Sequence, residues 1–211
     1  MSKNKEEEII FKIITIGNSG VGKTSIIRRY VYQTYEPQTS STVGLSFAFK
    51  DILLENGIKI KLKIIDTAGE EKYQSLCKSY FKNAEGVFFV FALNEIKTFK
   101  DINEWIKLFN ENNTNPNIQK ILLGNKSDLN DNIEVNDELI EDFLKNNEEF
   151  SYKKVSAADN KNIDEAFQEI GEKIFKNYKQ KEQNSLKLEQ TKKKIKKNAF
   201  VYLIIFSDYK Y

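Results

Sequence analysis

Residues 9–17 read IIFKIITIG, an almost continuous β-branched apolar run. A run with so little polar alternation suits a strand buried on both faces of a sheet. After a glycine-bearing turn, KTSIIRRYVY (23–32) predicts a helix. LSFAFKDILLENGIKIKLKIID (45–66) predicts two long strands joined around Asn56-Gly57, a dipeptide that readily supplies the positive φ angles of a tight hairpin. GVFFVFAL (86–93) and QKILLG (119–124) are two further buried strands, and TFKDINEWIKLF (98–109) between them has helical spacing. NDELIEDFLKN (136–146) opens on an asparagine suited to capping a helix. FSYKKVSA (150–157) predicts a last strand, and NIDEAFQEIGEKIFKNY (162–178) a long amphipathic helix. The loop NENNTNPN (110–117) is a polar connection rather than a domain boundary, and no internal repeat is present.

Strands alternating with helices imply an α/β fold: a mostly parallel six-stranded sheet, covered by helices on both faces, with the hairpin adding one antiparallel edge strand. Ligands in such folds sit beyond the carboxyl ends of the strands. The predicted organisation is an N-terminal extension (1–8), one domain over 9–178, and a flexible basic tail over 179–211 that carries a short apolar stretch.

Composition narrows the chemistry. The 211 residues include no histidine and one cysteine, Cys77. Zinc sites, histidine-based triads and an internal disulfide are thereby excluded, and the cysteine usage fits a reducing compartment. The opening MSKNKEEEII has no apolar core of a secretory signal, and no apolar run approaches the length of a bilayer span. The formal net charge is +2. Lys192, Lys193, Lys194, Lys196 and Lys197 together exceed it, so the remainder of the chain is net acidic. A basic face for nucleic acid is therefore not expected; the positive charge belongs to the tail.

Four short motifs each follow a predicted strand. GNSGVGKT (17–24) matches the pattern of a phosphate-binding loop between strand and helix. Gly17, Gly20 and Gly22 permit close backbone approach, the amides of Asn18 through Ser25 face the anion, Lys23 reaches the β- and γ-phosphates, and the Thr24 hydroxyl is placed to ligate Mg²⁺. DTAG (66–69) puts Asp66 at a strand end, where a carboxylate can hold the same cation through its water shell, and the Gly69 amide beside the γ-phosphate. GNKSD (124–128) supplies Asn125, Lys126 and Asp128. Asp128 can accept from both N1–H and the exocyclic N2–H of guanine, whereas adenine would leave that carboxylate unpaired. VSAA (155–158) offers Ser156, Ala157 and Ala158, whose amides can meet the guanine oxygen.

These motifs, in this order, resemble the small GTPases of the Ras superfamily over about residues 9–178, and most of all the Rab branch. STVGLSFAFK (41–50) is similar to the Rab first switch, and DTAGEEKYQSLCKSYFKNAEG (66–86) to the second. Ser19 is also Rab-like. The resemblance implies a P-loop NTPase three-layer sandwich that binds GTP or GDP with Mg²⁺ and hydrolyses GTP. Thr24, Thr42 and Asp66 would hold the metal, and Lys23, Gly69 and Glu70 would line the reaction. Two loops would order around the γ-phosphate and relax on hydrolysis. Implied partners are effectors meeting Val43, Gly44, Phe47, Ile65 and Tyr80, an exchange factor and a GTPase-activating protein. A role in vesicle transport on the cytosolic face of an endomembrane is implied too.

Three positions depart from that family. Glu70 stands where a glutamine usually orients the attacking water. An ionised carboxylate there faces the phosphate charge and lacks the amide donor, so slow intrinsic hydrolysis is expected. A GTP-bound module that hardly hydrolyses and recruits effectors constitutively is the alternative. Ile65 replaces a usual tryptophan, and Ala158 a usual lysine. The tail, moreover, ends in FSDYKY without the prenylated cysteines of Rab proteins. Its lysines and AFVYLIIF (199–206) instead suggest attraction to an anionic membrane surface, unless those last residues are not the native terminus.

Overall fold

The computed structural model describes residues 8–37, 45–67 and 74–207, with backbone alone at 45, 74–77 and 193–207. Strands and helices follow one another as β1 (Ile10–Ile16), α1 (Lys23–Tyr32), β2 (Leu45–Leu53), β3 (Lys59–Thr67), α2 (Gln74–Phe81) and β4 (Gly86–Ala92). They continue as α3 (Ile96–Lys100), α4 (Ile102–Asn112), β5 (Gln119–Asn125), α5 (Asp137–Lys145), β6 (Phe150–Lys154) and α6 (Ile163–Ser207). The six strands form one sheet in the order β2-β3-β1-β4-β5-β6. Every neighbouring pair is parallel except β2 with β3.

The hairpin closes as its sequence predicts. Gly57 has φ 80°, its N–H donates to Leu54 O, and Asn56 Oδ1 accepts from the Ile58 N–H. The Asn136 side chain caps α5 by accepting from the Leu139 N–H. All seven residues of β4 are buried, because it lies in the middle of the sheet with helices on both sides. On one face Phe89, Phe91, Trp105, Phe109 and Phe150 pack together with Ile14 and Ile65. On the other, Phe88 meets Phe167 edge-on at 4.8 Å, and Phe167 stacks on Tyr30 at 3.8 Å. Each buried aromatic of this kind contributes about 2–3 kcal/mol of hydrophobic stabilisation. The chain leaves β1 toward β3 on one side and reaches β4 on the other. The turn after β1 therefore sits at a topological switch point, where a ligand crevice opens.

Two expectations are corrected. The helix expected over 98–109 is two segments, α3 and α4, meeting at Asp101. The helix expected to end near Tyr178 continues to Ser207. Residues 178–207 contain neither glycine nor proline and are rich in lysine, so no strong helix breaker stands in them. By compactness the chain divides after Ile174. Within the second unit, Lys179 pairs with Glu182 at 2.8 Å and the Thr191 hydroxyl donates to Lys187 O.

At the far edge of the sheet Glu169 of α6 receives Lys153 of β6 at 3.1 Å and Lys173 at 2.8 Å. Burial alone would raise its carboxyl, but hydrogen bonds from Lys173, Ser151 and Lys153 outweigh that and hold it down at about 2. A carboxyl depressed in the folded state stabilises the fold above its unfolded value near 4.5 and loses that contribution as pH falls toward 2. Glu169→Gln should therefore cost roughly 1–2 kcal/mol at neutral pH, discounted for the partly exposed lysines. In urea titrations the difference from wild type should shrink as pH falls below about 4.5. A difference constant from pH 7 to pH 3 would show that the pair does not stabilise the fold.

Candidate functional site

The turn after β1 is shaped by its glycines. Gly17 (φ 145°) lies so close to β4 that a Cβ would stand 2.1 Å from Val90 O. Gly22 (φ 96°) caps α1 in the left-handed region, and a Cβ there would stand 2.2 Å from Asn125 Nδ2. Only a residue without a side chain fits either place. Between them Ser19 and Gly20 are exposed at the loop tip, while Val21 is buried.

Lys23, the first residue of α1, is buried, and its ammonium turns back into the loop. Its Nζ donates to Gly17 O at 2.9 Å and to Asn18 O at 2.8 Å. The Asn18 side chain is fixed at both ends: Nδ2 donates to Asp101 Oδ2 at 2.6 Å, and Oδ1 accepts from Trp105 Nε1 at 2.7 Å. The break between α3 and α4 thus coincides with a tether to the phosphate loop. Ser25 lies half-buried one residue further along α1.

Asp66, the last residue but one of β3, lies opposite Thr15 of β1 and is 3% exposed. Thr24 Oγ1 donates to its Oδ2 at 2.7 Å, and Oδ1 is buried with no hydrogen-bond partner among the described residues. Burial pushes this carboxyl up, opposed by the Thr24 hydrogen bond and the charges of Lys23 and Arg28. A buried carboxylate oxygen with no donor suits a cation. Thr24 and Asp66, already in contact, fit a magnesium ion's preference for hydroxyl and carboxylate oxygens.

The ends of β5 and β6 form the neighbouring wall. Asn125 Nδ2 donates to Val21 O at 2.8 Å, and Asn125 Oδ1 accepts from the Ala157 N–H at 3.2 Å. One amide therefore joins the phosphate loop, β5 and the turn after β6. Lys126 adopts φ 67°, which turns the chain sharply toward Ser127 and Asp128. Ser156 Oγ donates to Asp128 Oδ1 at 2.6 Å and accepts from the Asp159 N–H at 3.0 Å. Arg29, one turn along α1 from Ser25, donates to Ala157 O at 2.8 Å and to Ala158 O at 2.9 Å. The fold thus gathers residues 17–25, Asp66, 125–128 and 156–158 on one rim of the sheet.

Thr42, Val43, Gly44, Gly69 and Glu70 lie outside the described residues. Of the remaining effector-facing candidates, Phe47 and Tyr80 are exposed, but Ile65 is not. It is 1% exposed and packed in the core with Ile14, Ile16 and Phe81, so that position adds nothing to an outer surface. Arg29, Asp101 and Trp105 were not legible as site residues. Each acts through a partner far away in sequence, and a lone tryptophan at helical spacing reads simply as core.

Comparison with known proteins agrees with this geometry. Residues 12–176 match the model of the Ras family. The chain is 35% identical over 176 residues to the GTP-binding protein ypt3 of Schizosaccharomyces pombe, covering 83% of this chain and 81% of that protein. It is also 35% identical to the Ras-related protein Rab-11A of Dictyostelium discoideum, covering 82% and 81%. The Ras-related protein Rab-15 of Rattus norvegicus is 33% identical, covering 81% and 79%. A glycine-bearing loop, a buried aspartate near a strand end and the Asn125–Asp128 turn on one rim, with this similarity across four-fifths of the chain, place it in the Ras family as a Rab-like small GTPase.

Proposed function

We propose that the protein is a guanine-nucleotide switch of the Rab type, acting in vesicle transport and hydrolysing GTP slowly unless assisted. The observation that carries this reading is Asn125, whose single amide holds the phosphate loop on one side and the Ala157 turn on the other. A ligand bound by both must carry phosphates and a base at a fixed spacing, as a nucleotide does. Asp128, pinned by Ser156, faces the base and selects guanine. Lys23 and the amides of residues 18–25 neutralise the phosphates. Thr24 and Asp66, with Thr42, would hold Mg²⁺, which supplies charge neutralisation at the β- and γ-phosphates.

Hydrolysis is attack of water on the γ-phosphorus, which breaks its bond to the β–γ bridging oxygen, releases GDP and leaves the water's proton on phosphate or solvent. Its rate depends on how the water is oriented and how developing charge is met. Glu70 in place of glutamine brings a negative charge toward the phosphate and removes a donor. Activating partners in the Rab family resemble dual-finger proteins that can bring their own glutamine, and such a partner would restore stimulated turnover. Effectors would read Val43, Gly44, Phe47 and Tyr80 in the GTP form. The tail over 179–211, with its lysines and apolar octet, would add attraction to an anionic cytosolic membrane face, at about 1 kcal/mol per lysine near the surface. No helix among the described residues is long and apolar enough to cross a membrane.

Purified protein loaded with GTP and followed through one turnover tests the reading. Glu70→Gln should raise intrinsic hydrolysis about ten-fold or more, equivalent to about 1.4 kcal/mol in the barrier, with GDP affinity nearly unchanged. A variant no faster than wild type would sink the slow-switch reading. It would favour the rival suggested by the same residue, a GTP-bound module that recruits effectors without cycling.

A further inference from the structure

The face of the sheet that carries the large Phe89 cluster is covered over β4 and β5 and left open at the β2–β3–β1 corner. Strand alternation and register place Phe47, Phe49, Asp51 and Leu53 of β2 on this open face. Lys59, Lys61 and Lys63 of β3 and Ile10 and Lys12 of β1 stand beside them. Phe47 is 64% exposed, Phe49 48% and Leu53 66%. β2 is the edge strand, and three large apolar side chains exposed along one edge form a patch that an isolated soluble chain ordinarily avoids.

The charges on this corner are unequal. Asp51 is taken by Lys59 at 2.7 Å, and Glu8 by Lys61. Glu85 Oε2 accepts from the Lys12 backbone N–H, and Lys12 Nζ donates to Lys82 O while lying 6.0 Å from the Tyr80 ring. Lys63, directly opposite both Phe49 and Lys12, forms no ion pair among the described residues and rests 5.4 Å over the Phe47 ring. Burial and then the neighbouring Lys63 charge lower the Lys12 ammonium, with Glu85 opposing them. Glu85 thus partly answers the Lys12 charge, whereas Lys63 over the Phe47 ring has no ion pair among the described residues and can take a carboxylate from outside.

We propose that this corner docks an acidic amphipathic segment of a partner protein, setting an apolar side chain against the exposed side of the Phe47–Phe49 pair, whose rings meet edge-on at 5.9 Å, and a carboxylate on Lys63. The proposal rests on the effector reading, whose surface shares Phe47 and Tyr80, and names the chemistry of the partner. Phe49 and Lys63, paired across β2 and β3, then determine which partners are accepted.

The full chain, loaded with a non-hydrolysable GTP analogue and separately with GDP, can be panned against a random-peptide display library. Enriched peptides should place glutamate or aspartate beside a large apolar residue. A synthetic copy of the strongest binder should lose affinity about ten-fold or more for Lys63→Glu. Exchanging its critical carboxylate for lysine should restore binding to that variant. Phe49→Ser should also weaken it, while both variants keep wild-type nucleotide affinity. Enrichment of neutral or basic peptides, or binding indifferent to both substitutions, would overturn the proposal. So would sedimentation showing that the chain dimerises through Phe49, since the face would then belong to a second copy. Equal binding to the GTP and GDP forms would support the acidic docking surface and refute the effector reading alone.

Discussion

Asp128→Asn is expected to weaken GTP on the order of a thousand-fold or more, and to make the protein prefer xanthine nucleotides. The reason is local. Asp128 Oδ1 already accepts from Ser156 Oγ at 2.6 Å, and an asparagine carbonyl can keep that bond, so the turn should survive the change. What changes is the second atom, from an acceptor to an NH₂ donor. Guanine presents N1–H and N2–H there, so one donor would face another in a partly buried wall. Xanthine presents N1–H and a carbonyl oxygen, which matches the amide. Fluorescent-nucleotide competition with GTP, ATP and XTP measures the switch directly. Unchanged GTP affinity would remove the basis for assigning the base to this turn. Tighter ATP binding would mean that another group reads the base edge.

The sheet was legible because its strands are local statements. IIFKIITIG and GVFFVFAL need no partner in view to be read as buried, and Asn56-Gly57 states the hairpin in two residues. The motif residues were legible for the same reason, since each sits in the few positions after a strand. What the sequence left unreadable is how those positions brace one another. Asn18 looks like a variable loop residue, yet both ends of its side chain are engaged by Asp101 and Trp105, 83 and 87 positions away. Arg29 reads as part of a basic helical face but holds the carbonyls of Ala157 and Ala158. Ile65 reads as a changed surface residue, and only the packing of Ile14, Ile16 and Phe81 shows it to be interior. The end of α6 is not readable because a run with neither glycine nor proline carries no stop signal. Local pattern specifies elements, and contacts between distant segments specify the site's rigidity.

The same bracing decides what Lys23→Ala should do. The ammonium is held by the Gly17 and Asn18 carbonyls, at 2.9 and 2.8 Å, inside a loop fixed by Gly17 against Val90 and by Asn125 against Val21. Removing it therefore has two separable effects. The nucleotide-free protein loses the donor to two loop carbonyls, at about 1–3 kcal/mol for each one left dry. The phosphates lose a positioned charge, and truncating one partner of a desolvated charge pair costs about 2–5 kcal/mol or more. GTP affinity should fall between about 30-fold and several thousand-fold. On the proposed assignment of the Lys23 ammonium to the β- and γ-phosphates, GTP should suffer at least as much as GDP. Urea unfolding of the nucleotide-free variant reports the first effect, and nucleotide titration of the folded variant reports the second. If Lys23→Ala lowered stability but left GTP and GDP affinities unchanged, the ammonium would be a brace for the loop and not a phosphate ligand. Lys23→Arg discriminates further. A guanidinium keeps the charge but needs a wider planar space than this buried, two-carbonyl cradle provides, so it should fail to restore tight binding. Full recovery by arginine would mean that net charge near the loop, and not the fixed position of one nitrogen, holds the nucleotide.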